Sequence, residues 1–233
     1  MPVGVANEIV SIQRNFLWGW GSDGRKVAWA SWKKVCEARE DGGLGIIDLR
    51  IFNLALLGKW IWRLGSDKGG LWKEVIDSKY GGWRILREGR GGSSDSLWWK
   101  DLREVWSLEG WGQNFEDVVA WKVGNGKEVM FWEDNWVGRG ALKSVFPRLF
   151  SLSVSKASSV IEVGAWNNNV WVWKFGWRMS LFEWEKSLVC LLSQEVQGVS
   201  LNLEKEDSWE WKEGKEVGYS VKTGYQRLGG EGD

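Results

Sequence analysis

The sequence predicts an α+β fold, mainly helical in its N-terminal half and mixed in its C-terminal half, where short β-hairpins alternate with helices. Three observations carry this reading. Apolar residues recur at helical spacing in two early segments, alternating apolar stretches flank a Gly124-Asn125-Gly126 turn, and the 22 tryptophans among 233 residues fall in bursts without a constant interval. The first two set the element types, and the third argues against a repeat architecture, which requires a fixed period.

Along residues 5–17, Val5, Ile9, Ile12 and Phe16 mark the apolar face of an amphipathic helix that Gly19 stops. Residues 48–64 open on Asp48 as a cap, followed by Leu49, Phe52, Leu56, Leu57, Trp60, Ile61 and Leu64 on one broad stripe. The opposite face carries Ile51, Ala55, Gly58 and Trp62, so this helix is expected to pack on two sides, with Ala55 and Gly58 admitting a close neighbour. A shorter helix is expected at 71–79, and 81–96 reads as a Gly/Arg/Ser loop without periodicity. Another helix follows at 97–106. Segments 118–123 and 127–132 read as a hairpin around Gly124-Asn125-Gly126. Short helices are expected near 142–150 and 158–163, and Ser180 with Glu183 suggests a capping box for the helix through Leu188 and Leu192. A second hairpin is expected from 207–212 and 216–219, with Ser220 opening a last helix. This divides the chain into a helical unit at 1–88, a loop at 89–96 and a mixed unit at 97–233.

Composition excludes several function classes. Lys and Arg number 31, as do Asp and Glu, so nucleic acid could be held only by a local basic patch and not by net charge. Two cysteines, Cys36 and Cys190, make no disulfide framework and read as small buried residues. With no glycosylation sequon, no signal-like start and no apolar run long enough for a bilayer, the chain reads as intracellular, with no membrane partner.

There is no histidine, which removes Ser-His and Cys-His nucleophilic pairs and every imidazole zinc site. Neither catalytic nor metal-binding residues are assigned, and no cofactor or small-molecule substrate is expected. Gly19-Trp20-Gly21-Ser22-Asp23-Gly24 matches a dinucleotide-binding pattern, but it trails a helix instead of following a strand, so it reads as a helix C-cap and turn. Glu133-Asp134 is the best carboxylate pair. Neighbours on a strand point to opposite faces, so a turn or salt link is the expected role. The tryptophans are either core or stacking platforms. Phe16, Trp29, Trp32, Leu56, Leu57, Trp60, Trp132 and Trp136 are assigned to the core. Arg14, Lys26, Lys33, Lys34, Lys59 and Arg63, interleaved with indoles, are the candidate contacts to RNA or DNA.

Several runs have a familiar order. Arg14-Asn15-Phe16-Leu17-Trp18-Gly19, Lys26-Val27-Ala28-Trp29-Ala30-Ser31-Trp32, Gly42-Gly43-Leu44-Gly45-Ile46-Ile47-Asp48-Leu49 and Gly58-Lys59-Trp60-Ile61-Trp62-Arg63 are followed by Phe131-Trp132-Glu133-Asp134-Asn135-Trp136 and Gly218-Tyr219-Ser220-Val221-Lys222. Together they resemble plant LINE-type non-LTR retrotransposon polyproteins, over the stretch that follows the reverse transcriptase palm. The resemblance implies a thumb-like N-terminal unit, a connecting unit and the first residues of a zinc-binding region. It also implies a truncated, noncatalytic fragment of an RNA-directed DNA polymerase that once helped hold template and primer. The family's Tyr-x-Asp-Asp turn is missing, since Tyr80, Tyr219 and Tyr225 are followed by Gly81-Gly82, Ser220-Val221 and Gln226-Arg227. A domesticated nucleic-acid-binding or protein-interaction module is the alternative, and an enzyme in its own right is a third reading.

Overall fold

The computed structural model describes residues 1, 3–19, 28–89, 91–92, 94–111, 115–168, 170–212 and 218–230. The fold is α+β: ten α-helices and four short strands are found among these residues. Its centre is helix α3, Leu49–Ser66, which follows α1 (Val3–Trp18) and the short α2 (Trp32–Cys36). Asp48 caps α3 by accepting from the Arg50 and Ile51 amides at 2.8 and 3.3 Å. Behind it come α4 (Leu71–Tyr80), α5 (Arg84–Glu88) and α6 (Leu97–Trp106). The segment expected to be loop throughout 81–96 therefore contains a helical turn. A helix of five residues is too short to display a period, which is why spacing alone missed it.

α3 packs on two sides, against α6 and against the distant α10, Val221–Gly229. Its small residues allow the second contact. A Cβ on Gly58 would stand 2.6 Å from the Tyr219 hydroxyl, and one on Gly65 would enter the Trp209 ring. Through this gap Tyr219 Oη donates to the Ala55 carbonyl at 2.7 Å. Burial pushes the Tyr219 phenol well above its ordinary range, so it stays a neutral donor. Tyr225 closes the other end, its hydroxyl accepting from the Asp48 amide at 2.9 Å.

α1 departs from expectation. It ends as predicted at Gly19, whose φ is +61°, but only Ala6 is buried along it. Phe16, assigned to the core, is 89% exposed and Ile12 67%, so the apolar stripe of this helix faces outward. The helix touches α3 through its N-terminal end, where the Met1 amine donates to Asn53 Oδ1 at 3.1 Å and Arg50 donates to Asn7. Anchored there, it leaves its far turns uncovered. Trp29 is likewise 89% exposed, and Trp32 is half-buried.

The mixed half combines one long-range strand pair with one local hairpin, and neither is a pairing expected from sequence. β1 (Val119–Lys122) pairs antiparallel with β4 (Ser208–Trp211), placing Val119 opposite Trp211 and Trp121 opposite Trp209. All four side chains are buried. The expected hairpin partner, 127–132, bonds elsewhere: the Phe131 amide reaches Ser158 O at 3.0 Å, and the Val160 amide reaches Val129 O at 2.8 Å. The reason lies in Asp207, which is 1% exposed. One carboxylate oxygen accepts from the Gly124 and Gly126 amides at 2.7 and 2.9 Å, the other from Glu128 at 2.9 Å. Gathering three amides onto one carboxylate turns the glycine segment away from β1 and leaves that strand's edge for β4. Of the second expected hairpin, 213–217 lie outside the described residues, and Gly218 and Tyr219 are not in a strand.

The local hairpin instead joins β2 (Gly164–Asn167) to β3 (Val170–Trp173). Short helices α7 (Leu142–Val145) and α8 (Pro147–Leu152) fall near the expected 142–150, and 160–163 form a 3-10 turn. α9, Glu183–Val196, starts later than expected. Its cap comes from Glu185, which accepts from the Phe182 amide at 2.8 Å, and not from Ser180 with Glu183. Cys36 is half-buried and Cys190 exposed, so neither is the buried residue expected from sequence. No helix among the described residues is long and apolar enough to cross a membrane.

Replacing Asp207 with Ala should cost about 3–5 kcal/mol in urea unfolding, because three amides lose a charged acceptor at once. A cost under about 1 kcal/mol would show that water replaces the carboxylate. Glu185, buried and bonded also to Arg148 Nε at 2.8 Å, has its pKa lowered by the Phe182 amide and then by Arg148. Its contribution is complete above the unfolded carboxylate pKa and lost as pH falls through the lower folded value. Glu185→Gln should therefore narrow its stability difference from wild type as unfolding is measured from about pH 6 to about pH 3.

Candidate nucleic-acid interface

The five candidate contacts among the described residues do not assemble into one basic patch. Arg14 and Lys33 are exposed on α1 and α2, and Lys26 lies outside the described residues. Lys34 is committed to its own loop, bonding Glu37 at 2.6 Å and Asp41 O at 2.8 Å. Lys59 reaches across α3 to Tyr219 O at 2.7 Å. Lys59 also lies 6.0 Å from the centre of the Tyr219 ring, whereas Arg63 lies over an aromatic surface of two indoles, those of Trp60 and Trp72.

That surface arises from the third face of α3. The Ala55, Gly58, Trp62 and Gly65 face is taken by Tyr219 and Trp209, while Leu57 lies with Leu54, Val105 and Leu108 on the α6 side. Helical rotation then leaves Leu56, Trp60 and Arg63 on the remaining quadrant. Leu56 is 41% exposed and Trp60 37%, so neither belongs to the core assigned from sequence. Leu57, Trp132 and Trp136 are buried.

Trp60 meets Trp72 of α4 and Trp98 of α6, each at 5.7 Å and edge to face. The Arg63 guanidinium lies 5.1 Å from the Trp60 ring centre and 4.7 Å from that of Trp72. Its Nε bonds Asp67 Oδ2 at 3.0 Å. Three indoles from three helices thus form a partly exposed platform with one cation on it. Trp72 and Trp98 were not among the sequence candidates. The Trp98-Trp99 doublet held a usable signal: neighbours on a helix point about 100° apart, so when Trp99, 1% exposed, fills the core and stacks on Tyr80 at 4.3 Å, Trp98 must face another way.

The carboxylate candidates are engaged in structural pairs. Glu133 bonds Lys143 on one side. On the other, Asp134 is fully buried and accepts from Arg84 at 3.1 and 3.2 Å, from Arg87, and from the Met130 amide at 2.7 Å. Arg87 also donates to Glu116 at 2.6 Å. Burial raises the Glu116 pKa against the lowering effect of Arg87. For Arg87 the loss of solvent is outweighed by the charges of Glu116 and Asp134, and its pKa rises. The network ties α5 to the 116–134 segment. Among the described residues, no three His, Cys, Asp or Glu side chains converge as metal ligands. The glycine pattern beginning at Gly19 runs on into residues outside the described set.

The chain is 28% identical over 232 residues to an Arabidopsis thaliana protein provisionally named a ribonuclease H protein, covering 98% of this chain and 35% of that one. It therefore spans about a third of that relative's length. An uncharacterised mitochondrial protein of Arabidopsis thaliana is 28% identical over 134 residues, 57% of this chain and 83% of its own. Both are plant proteins, and the pair is consistent with a retroelement-derived chain. No family model and no solved structure matches.

Half-exposed Trp60 and fully buried Trp99 should separate on mutation. Trp99→Ala should cost about 3–5 kcal/mol, and Trp60→Ala at least about 1 kcal/mol less, because it opens no enclosed cavity. Equal losses in chemical denaturation would return Trp60 to the core.

Proposed function

We propose that this chain is a noncatalytic segment of a retroelement-derived reverse transcriptase polyprotein, and that the Trp60, Trp72 and Trp98 platform holds single-stranded nucleic acid. The observation that carries the binding role is the platform itself, in which indole faces for stacking lie beside a cation suited to phosphate. Support for its origin comes from the ordered motif resemblance and from the plant relative named for a nucleic-acid enzyme, along 98% of this chain. Support for a noncatalytic role comes from the lack of histidine and of a Tyr-x-Asp-Asp turn, and from the pairing of Asp134, Asp207 and Glu185 in structural bonds.

A protein-interaction module is the second reading, favoured by the uncovered Ile12 and Phe16 on α1. One titration distinguishes the two. With a labelled pyrimidine oligonucleotide, Trp60→Ala or Trp72→Ala should weaken binding by about 1–3 kcal/mol while the protein stays folded, and Phe16→Ala should have no effect. Wild-type affinity in folded Trp60→Ala and Trp72→Ala proteins would sink the platform. The purified chain should also show neither primer extension nor nuclease activity with magnesium or manganese. Either activity above a heat-killed control would overturn the noncatalytic assignment.

A further inference from the structure

We infer that Asp67 holds the place of a ligand phosphate on Arg63, so that the Trp60 platform is latched by its own carboxylate and opens to a ligand bringing a competing anion. The inference rests on the platform reading above and concerns how that site chooses and admits its ligand.

Arg63 does two things at once. Its guanidinium covers indole surface on both Trp60 and Trp72, and its Nε is neutralised by Asp67, one turn further along and just past the end of α3. Both side chains are more than a third exposed, at 38% and 36%. An exposed ion pair of this kind contributes only about 0.2–1 kcal/mol, so it closes the site weakly and reversibly. A phosphate diester offers an equivalent oxygen to the same donor, while its base supplies the ring that stacks beside the guanidinium.

The neighbouring cations cannot take this part. Lys59 is held on Tyr219 O at 2.7 Å, and Lys73 on Leu64 O at 2.7 Å with Asp77 at 3.4 Å. Arg63 is the cation seated over the platform rings, so its counter-ion decides what the platform accepts. An uncharged or apolar peptide would stack on the indoles without exchanging that counter-ion and would be indifferent to Asp67. A phosphate-bearing single strand must displace it. Arg63 therefore supplies the attraction for a polyanion and Asp67 sets the threshold that such a ligand must exceed, although the chain as a whole carries no net charge.

The test is a double-mutant cycle in the full chain, titrated with a uniform pyrimidine DNA oligonucleotide of about a dozen nucleotides over a range of sodium chloride concentrations. The proteins are wild type, Asp67→Asn, Arg63→Gln, the double variant, and Glu74→Gln as a control for loss of a nearby negative charge, since Glu74 is exposed on α4. Asp67→Asn keeps the shape and backbone role of the helix cap. It should bind about threefold more tightly than wild type, exceed Glu74→Gln, and steepen the salt dependence by about one counter-ion. In the Arg63→Gln background the gain should vanish. A gain no larger than that of Glu74→Gln, or one that persists without Arg63, overturns the latch. The platform fails separately if Trp60→Ala leaves affinity unchanged, and absence of binding by every protein overturns both.

Discussion

The contact between Tyr219 and the backbone of α3 is the constraint on which the other packing depends. A phenol can reach a helix carbonyl only where the intervening side chain is missing, and Gly58 provides that gap. Once Tyr219 is seated, Trp62 stacks near it at 6.5 Å and Trp211 meets its edge at 4.9 Å. Trp211 brings β4, and β4 brings β1. Trp209, on the same strand, lies against Gly65 and meets Trp83 at 4.8 Å. A single continuous cluster of buried residues results, running from Leu57 to Tyr219.

The assignment of α3's three faces also makes the candidate site. With one face given to Tyr219 and Trp209 and another turned toward α6, the quadrant bearing Trp60 and Arg63 is left over. It becomes a platform because α4 and α6 each contribute one indole to it. The tryptophan bursts are therefore neither all core nor all surface. In Trp60-Ile61-Trp62 the two indoles point apart along a helix, one toward Tyr219 and one toward solvent, and Trp98-Trp99 divides in the same way. On β1 and β4, where alternate residues share a face, Trp209 and Trp211 are both buried.

How much could be read from the sequence follows from the range of each interaction. Helices α3, α4, α6 and α10 were legible because their signals are local: a cap at Asp48 or Ser220, a stripe, and small residues at Ala55 and Gly58. The strand pairing was not. Gly124-Asn125-Gly126 has good hairpin chemistry, and distant partners redirect it: the Asp207 carboxylate on its amides, and the Asn202 and Ile161 amides on its carbonyls. Burial on α1 failed for a related reason, since a stripe at Val5, Ile9, Ile12 and Phe16 specifies a helix but not the presence of a partner for each turn. For the site, interleaving of Arg63 with Trp60 was visible, whereas the roles of Trp72 and Trp98 depend on how α4 and α6 dock. Lys59 could not be told from a surface cation without Tyr219 in place.

The bond joining Tyr219 to Ala55 spans 164 residues of chain, and it imposes an order on folding. As the polypeptide leaves the ribosome, α3 emerges well before the ring that fills its glycine gap. Until then Trp62 and its neighbours have no lid, and the strand edge of β1 has no mate. Loop closure across those 164 residues must precede the gain from this part of the core, which slows its formation. A ribosome that stalls before Tyr219 would release a chain with helices in place and an open aromatic seam, a form suited to chaperone capture or aggregation.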